Sequence, residues 1–259
     1  LEAGNPGGCA DHMDVPLTTD QRGQPRLRDG NNDGISRCDI GAFESAYPAP
    51  ADPGSPNWYV ATTGNDANSC MVTTAPCRTI NGALNKAGSG DHVYVTAAAY
   101  LGTGTEVVLV QKDVYLSGGW NSTFTAQSGV TSISGAKARR DITLVAGKRL
   151  QLDHFTLASG YSSTSGGAIL MGNRARLILI NLTVQDGKSP TGAGIDLGDY
   201  GGLWVYNSLL KTNIATGDGG AIRSGEAGII YIENSTLDGN RAENGGGIFA
   251  VDYDTLITL

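Results

Sequence analysis

The sequence predicts an all-β fold, a parallel β-solenoid whose coils take 26 or 27 residues each. A glycine-rich motif ending in isoleucine occurs four times, and its isoleucines are 26, 27 and 26 residues apart: Ile169, Ile195, Ile222 and Ile248. A second set of residues keeps the same period, with spacings of 27, 26 and 27 residues: His154, Asn181, Asn207 and Asn234. Two sets of residues that share one period over four copies indicate stacked coils.

Each copy holds short apolar runs separated by Gly, Asn, Asp and Ser, with no helical pattern. This excludes helical repeats, and each copy is shorter than a propeller blade of about 40 residues. Coils stacked about 4.8 Å apart bury a continuous column of Ile, Leu and Val. We expect corner glycines where a Cβ would clash: Gly167, Gly194, Gly220 and Gly247. We also expect a structural ladder of side-chain amides from coil to coil: Asn181, Asn207 and Asn234.

The rest of the chain divides by composition. The period predicts about six coils over residues 92–259, preceded by an N-terminal cap over residues 58–91. In the cap, residues 79–87 place four apolar side chains at helical spacing, and Gly88 then stops the helix. A proline-rich linker at residues 47–57 separates the cap from residues 1–46, which are polar and rich in turns.

Four cysteines in a glycine-rich, acidic chain indicate disulfides and an oxidising compartment, and hence an extracellular or cell-surface location. Three pairings are open. We favour Cys9 with Cys38 and Cys70 with Cys77, because each pair lies within one compositional segment. The less favoured alternative is a zinc site, since the chain has no Cys-x-x-Cys and its three histidines are scattered.

The segment 29–34, Asp-Gly-Asn-Asn-Asp-Gly, fits the start of a calcium-binding loop. Oxygens at alternate positions, from Asp29, Asn31 and Asp33, would converge on one cation. Ile40 occupies the position of the usual bidentate glutamate, and Asp39, one residue earlier, would serve in a contracted loop. The alternative is an ordinary turn of Asn, Gly and Asp. Because the spacing of these oxygens fits a calcium loop, we favour calcium as the cofactor over an ordinary turn.

The charge balance argues against two classes of partner. The chain has 25 acidic and 18 basic residues, a net charge of −7. Nucleic-acid binding needs a basic stripe to neutralise phosphates, so we expect no nucleic-acid partner. No apolar run reaches the roughly 18 residues of a membrane span, so we expect no membrane span either.

Residues 59–66 and 76–84 resemble the start of right-handed parallel β-helix domains of the pectate-lyase-like superfamily, and residues 90–95 resemble a first coil. The resemblance implies a right-handed coil closed by an N-terminal capping helix. Residues 1–46, which include Asp20, Arg22 and the segment 38–44, Cys-Asp-Ile-Gly-Ala-Phe-Glu, resemble the C-terminal closure of large bacterial β-helix proteins of the secreted "choice-of-anchor" type.

No catalytic constellation emerges from the carboxylates. A β-helix glycosidase needs an acid and a base a few ångströms apart. The period places Asp153 and Glu233 in one column, but with two residues between them. Asp196 and Arg223 fall in adjacent coils, which is typical of a surface ion pair. We therefore expect no enzyme, and a polysaccharide lyase or hydrolase is the less favoured alternative.

The leading prediction is an extracellular structural protein: a subunit of a head-to-tail filament or surface layer, or a slice of a giant tandem β-helix surface protein. The chain begins with a closure-like segment and ends in an unterminated strand at residues 254–259. Because open β edges pair with further strands, residues 1–46 of one copy would stack on the last coils of another copy or of a neighbouring β-helix domain.

The alternative is an adhesin that binds glycans along the solenoid. The candidate stacking side chains are Trp120, Tyr161, Tyr200, Trp204, Tyr206, Tyr231, Phe249 and Tyr253. The sequence also holds three N-glycosylation sequons, at Asn121, Asn181 and Asn234. The last two are ladder positions, and we expect their side chains to be buried.

Overall fold

The computed structural model describes residues 55–252 and 254–259. The predicted calcium ligands, the Cys9–Cys38 pair and the closure-like segment 1–46 lie outside these residues. The described residues form a parallel β-solenoid of six coils with a single short helix, which confirms the predicted fold. The right-handed sense of the coil stays a prediction. No helix in the described part of the chain is long and apolar enough to cross a membrane.

Three parallel sheets form the solenoid, and each coil contributes one strand to each sheet in turn. Sheet 1 has eight strands, in spatial order β1 (Asn57–Val60), β2 (Asp91–Thr96), β5 (Val114–Trp120), β8 (Arg149–Asp153), β11 (Arg176–Ile180), β15 (Gly202–Tyr206), β19 (Ile229–Glu233) and β22 (Leu256–Thr258). Sheet 2 has six strands, β3 (Ala99–Leu101), β6 (Thr131–Ser134), β9 (Phe155–Ala158), β12 (Thr183–Gln185), β16 (Leu209–Lys211) and β20 (Thr236–Asp238).

Sheet 3 also has six strands, β4 (Glu106–Val110), β7 (Arg140–Leu144), β10 (Ile169–Met171), β14 (Ile195–Asp196), β18 (Ile222–Ser224) and β21 (Ile248–Ala250). A two-stranded sheet, β13 (Lys188–Ser189) with β17 (Ile214–Ala215), adds a fourth side to two of the coils. All of the strand pairs in these sheets are parallel, as stacked coils require.

The core is a set of apolar columns that run along the solenoid axis. The predicted isoleucine column is confirmed, since Ile169, Ile195, Ile222 and Ile248 pair in register across sheet 3. The first three of these side chains are fully buried. Parallel columns of leucine and valine do the same in sheets 1 and 2. Burial of such a side chain contributes about 1.5–3 kcal/mol, so the columns account for much of the stability of the stack.

The corners after β8, β11, β15 and β19 have left-handed backbone at the predicted column: φ is 60° at His154, 56° at Asn181, and 49° at both Asn207 and Asn234. Asparagine tolerates this conformation better than most residues. The three asparagine side chains are exposed at the corner, so the expected burial of Asn181 and Asn234 is wrong.

The amide ladder lies elsewhere than predicted. Asn181 bonds to the preceding coil, but its acceptor there is a carboxylate: Nδ2 donates to Oδ1 of Asp153 at 3.1 Å. In the described part of the chain, a hydrogen bond between side-chain amides of adjacent coils instead runs from Asn213 Nδ2 to Asn240 Oδ1, at 2.9 Å. Asn213 is fully buried. Among the described residues, amide-to-amide bonding between coils is thus found at the buried Asn213 and not at the exposed corner asparagines.

Three of the predicted corner glycines stand where a side chain would clash. A Cβ on Gly167, Gly194 or Gly220 would lie 2.5, 2.4 or 2.3 Å from a carbonyl oxygen of the next coil. Gly247 differs, because the nearest atom to its Cβ would be Leu237 Cδ2 at 3.8 Å. The glycines with left-handed φ are one or two residues earlier in each motif: Gly166, Gly192, Gly219 and Gly245.

The cap contains helix α1 (Ile80–Lys86), within the predicted range of 79–87. Thr79 begins the helix by accepting the Gly82 N–H at its Oγ1, at 2.9 Å. At the other end, Lys112 donates to the Leu84 carbonyl at 3.2 Å and to that of Ala87. These are the helix-end groups that have no partner within a helix. The side chains of Ile80, Ala83 and Leu84 pack into the core and close the first coil.

The cap is also crosslinked. Cys70 and Cys77 form a disulfide, which confirms the favoured pairing of these two residues. Both are fully buried. The pair lies beside β1, because the backbone N–H of Tyr59 donates to the Cys70 carbonyl at 2.8 Å and that of Ala61 donates to the Cys77 carbonyl at 2.9 Å. The disulfide thus holds the segment that covers the first strand of sheet 1.

Candidate functional site

The outer face of sheet 1 is the most aromatic surface of the described residues. Alternate residues of each strand point outward, and register aligns them into columns. The central column contains His92, Tyr115, Gln151, Ile178, Trp204 and Tyr231. Two residues further along each strand, the acidic column contains Tyr94, Ser117, Asp153, Ile180, Tyr206 and Glu233.

The first three strands of this face carry a packed group of rings. His92 stacks on Tyr115, with ring centroids 4.8 Å apart, and Tyr59 stacks on Tyr94 at 5.6 Å. Trp120 meets Tyr94 edge to face at 5.2 Å. Burial lowers the pKa of His92, although the carboxylate of Asp91 acts in the opposite direction. The imidazole is therefore neutral at neutral pH, and this part of the central column has no charge.

A loop at residues 121–130 stands beside the aromatic group. It begins after β5, and a bridge between Trp120 and Gln127 pairs its two sides in antiparallel fashion. Phe124 at its tip has left-handed backbone and packs edge-on against Tyr59, with centroids 5.0 Å apart. Equivalent corners in the later coils turn at a single residue, so this loop is an insertion. This loop, called the wall loop below, borders one side of the face.

Further along the face, Trp204 forms a second aromatic surface. A Cβ built on Gly202 would lie 2.5 Å from Cη2 of the indole and 2.6 Å from Cζ3. The ring therefore runs back along its own strand and covers Gly202. In the next coil, Tyr231 packs against Tyr206 with ring centroids 5.7 Å apart. Trp204 and Tyr231 both remain partly exposed, so their rings are accessible from solvent.

Polar groups converge on Asp153 at the edge of the face. Its Oδ1 lies 2.6 Å from Nδ1 of His154 and accepts from Asn181 at 3.1 Å. Its Oδ2 accepts from Gln127 of the wall loop at 3.1 Å. The His154 side chain is 39% exposed. The cluster presents hydrogen-bonding groups next to the rings, an arrangement suited to a ligand with both apolar and hydroxyl surfaces.

The predicted separation of the acids is confirmed. Asp153 and Glu233 belong to one column with Ile180 and Tyr206 between them, so they are three coils apart, about 14 Å. Glu233 accepts a hydrogen bond from the Tyr231 hydroxyl at 2.9 Å. Within the described residues, no group of three or more His, Cys, Asp or Glu side chains is placed to hold a metal ion.

Asp196 and Arg223 do form the ion pair that the period indicated, at 3.1 Å, but it is not a surface pair. The Asp196 side chain is only 5% exposed, and Thr191 also donates to it at 2.9 Å. Burial raises the pKa of Asp196, although Arg223, Thr191 and Arg140 act in the opposite direction. The pair lies on sheet 3, away from the aromatic face, and holds adjacent coils together.

The predicted aromatic set divides by location. Trp120, Trp204, Tyr206 and Tyr231 lie on the face of sheet 1, whereas Phe249 lies on sheet 3. Tyr161 and Tyr200 are exposed at corners, and Tyr253 lies outside the described residues. The sequence pattern missed Tyr59, His92, Tyr94 and Tyr115. These residues lie in coils that precede the four recognised copies. The wall loop lengthens the second coil and interrupts the period, so the repeat pattern does not extend to them.

No family model matches this chain, and no curated protein matches it. One solved structure, a rhamnogalacturonan lyase, is similar at a TM-score of 0.42 with 11% sequence identity. The similarity covers 79% of this chain and 62% of the lyase chain.

Proposed function

We propose that this protein is an extracellular β-solenoid that binds carbohydrate chains along the outer face of sheet 1. The observation that carries the proposal is the central column, in which Tyr115, Trp204 and Tyr231 present partly exposed rings on one face of sheet 1. Aromatic rings offer a large apolar contact at low entropic cost. The C–H faces of sugar rings pack against such surfaces.

The polar groups complement this surface. A sugar stacked on a ring directs its hydroxyls sideways, toward groups that donate and accept hydrogen bonds. Gln151 lies in the central column, and the Asp153 cluster lies beside it. Tyr115 and Trp204 are three coils apart, about 14 Å. A chain of several sugars would span this distance along the solenoid axis.

The disulfide of the cap supports the extracellular location. Such bonds persist in oxidising compartments and are rare in the cytosol. The proposal includes no catalysis. The two acids of this face are about 14 Å apart, beyond the roughly 5–9.5 Å that separate the carboxylates of glycosidases. A polysaccharide lyase or hydrolase remains the less favoured alternative.

Affinity electrophoresis against a panel of soluble polysaccharides tests the proposal. We expect at least one polysaccharide to retard the protein, and Trp204→Ala and Tyr231→Ala each to weaken binding about tenfold, the loss of one stacked aromatic. Tyr161→Ala is the matched control, since Tyr161 is 42% exposed at a corner away from sheet 1. A panel without retardation, or equal losses in all three variants, would contradict the proposal.

A second candidate function is a filament or surface-layer subunit, with contacts between copies or with neighbouring β-helix domains. It is favoured by the regular stacking of the solenoid, in which parallel strands pair from coil to coil through all three sheets. Parallel pairing of this kind can continue into β-structure of another copy or a neighbouring domain. Negative-stain microscopy of the native protein would show fibres if this candidate holds and isolated short rods if it fails.

A further inference from the structure

We infer that Arg149 and Arg176 form a binding site for an oxyanion, such as a sulfate ester, a carboxylate or free phosphate, on the flank of the aromatic face. The inference adds a charged subsite beside the proposed glycan surface, and it stands on its own observations. Arg149 and Arg176 are directly paired in adjacent strands of sheet 1. Their Cα atoms are therefore about 4.8 Å apart.

Neither guanidinium has a partner within the described residues. No ion pair or side-chain hydrogen bond joins Arg149 or Arg176 to another group there, although both are at least partly exposed. Like charges directly opposite in a sheet are destabilising. A bound anion would remove that cost, because it would bring a negative charge between the two guanidinium groups, whose planar forks suit oxyanions.

The surroundings add positive charge. Lys148 precedes Arg149, and Arg174 lies at the same corner one coil further on, with its guanidinium 5.5 Å from the Tyr200 ring centroid. The corner thus carries four cations within two coils. This corner therefore differs from the chain as a whole, which has a net charge of −7.

Two carboxylates lie near the pair, and both accept hydrogen bonds from backbone and amide groups. Asp113 faces Arg149 from the preceding coil, but its Oδ1 accepts the Arg149 backbone N–H at 2.9 Å. Asp199, on the Arg174 side, accepts from Asn173 at 3.3 Å and from the Glu226 backbone N–H at 3.1 Å. The four cations outnumber these two carboxylates, and the guanidinium groups of Arg149 and Arg176 are bonded to neither of them.

The position of the pair connects it with the aromatic face. Arg176 pairs with Gly202 in the next strand, and the indole of Trp204 covers Gly202. The order along this row is therefore Arg149, Arg176 and then the indole. A sugar stacked on Trp204 would place a substituent of a neighbouring sugar about one coil away, at Arg176. An anionic substituent there would be recognised by charge while its ring is held by stacking.

Thermal unfolding of the full chain tests the site with inorganic sulfate as the probe and chloride at equal ionic strength as the reference. We expect sulfate to raise Tm above the chloride value, because a ligand that binds the folded state stabilises it. The double variant Arg149→Gln/Arg176→Gln should abolish this difference. Arg78→Gln is the matched control, since Arg78 is exposed and has no adjacent arginine in register. An equal response to both salts, or an unchanged sulfate response in the double variant, would overturn the inference.

A second measurement excludes a purely structural role. In chloride at low ionic strength, Arg176→Gln should unfold at the same temperature as the native protein or higher, because it removes a like-charge contact. A lower Tm would show that Arg176 stabilises the folded protein, which would contradict a role in anion binding alone.

The source of the anion is separated by affinity electrophoresis with a sulfated glycan, its desulfated form and a polyuronate. Binding of the sulfated chain or the polyuronate that weakens about tenfold in the double variant would identify an anionic glycan. A sulfate response without retardation by any glycan would contradict the proposed glycan binding and leave a free oxyanion as the ligand. Retardation that does not depend on the arginines would contradict the anion site alone.

Discussion

The indole of Trp204 lies over Gly202, two residues earlier on the same strand, and fills the space that a side chain would take there. In the adjacent coils this position is occupied by Arg176 and Ile229. Glycine is therefore what allows the ring to run along the sheet instead of standing away from it. An indole in this position offers a broad surface to solvent, and the proposed glycan binding rests largely on it.

Replacing this glycine tests the relationship. Gly202→Ala places a methyl group where the indole now lies, so the ring must move. Because the end of a side chain can rotate away, the free energy of unfolding should fall by only about 1 kcal/mol. Tryptophan fluorescence should shift, and glycan affinity should fall as in Trp204→Ala. Gly147→Ala serves as the control, because a Cβ there meets no atom within 4 Å, although its φ of +70° adds backbone strain. Unchanged fluorescence in Gly202→Ala would contradict the geometry.

The carboxyl group of Asp141 should make stability depend on pH. Burial raises its pKa well above the usual value, although the Gly135 N–H donates to Oδ1 and acts in the opposite direction. Its Oδ2 has no hydrogen-bond partner among the residues that the structure describes. The folded state thus holds the proton more tightly than the unfolded state, so this contribution to stability is present below the unfolded pKa of about 3.9 and is lost as pH rises.

Asp141→Asn keeps the acceptor for Gly135 and removes the ionisation. Its Tm should match that of the native protein near pH 4 and exceed it increasingly toward pH 7. Asp238→Asn, at an exposed position of sheet 2, is the control and should show no such trend. A Tm difference for Asp141→Asn that stays constant from pH 4 to pH 7 would show that the carboxyl group does not titrate in this way.

Asn81 should contribute more to stability than its place on a short helix indicates. Its Nδ2 donates to the Val107 carbonyl and its Oδ1 accepts the Leu109 N–H, both at 3.0 Å. The side chain therefore pairs with the edge of β4 as a neighbouring strand would. Asn81→Ala leaves two backbone groups unpaired and should cost about 2–4 kcal/mol. Asn85→Ala, on the exposed side of the same helix, should have little effect or stabilise slightly. Equal effects of the two variants in urea unfolding would contradict this role.

The disulfide between Cys70 and Cys77 should be present in the native protein and should stabilise the cap. For a loop of this length the chain-entropy estimate is about 2.5 kcal/mol. Peptide mapping after thiol alkylation should find both cysteines unlabelled without reductant and labelled with it under denaturing conditions. Addition of reductant should lower Tm. Labelling of Cys70 or Cys77 in the unreduced, denatured protein would show that the crosslink is absent.

Sequence periodicity predicted the parts of the fold that repeat. The isoleucines from Ile169 to Ile248 stack as expected, because a constant spacing leaves one register that buries every copy. The capping helix was predicted from the helical spacing of its apolar residues, and the Cys70–Cys77 pair from its place within one compositional segment. The first coils were harder to place, since the loop at residues 121–130 lengthens the second coil and removes the constant spacing from its neighbours.

The candidate site was predicted only in part. Trp204 and Tyr231 were identified as aromatic residues, but their alignment with Tyr115 depends on a register that the insertion hides. The contact between Trp204 and Gly202 depends on a side-chain rotamer, which no spacing encodes. The corner asparagines were misjudged because a period shows which residues stack and not whether their side chains face the core or the solvent.

Hydroxyl-radical footprinting of the protein, alone and with a polysaccharide that it binds, would show whether the glycan lies on the outer face of sheet 1. We expect Tyr115, Trp204 and Tyr231 to become less reactive in the complex, while Tyr161, exposed at a corner, reacts as before. Equal protection of Tyr161, or no change at Trp204 and Tyr231 with the polysaccharide bound, would show that the ligand does not lie on the outer face of sheet 1.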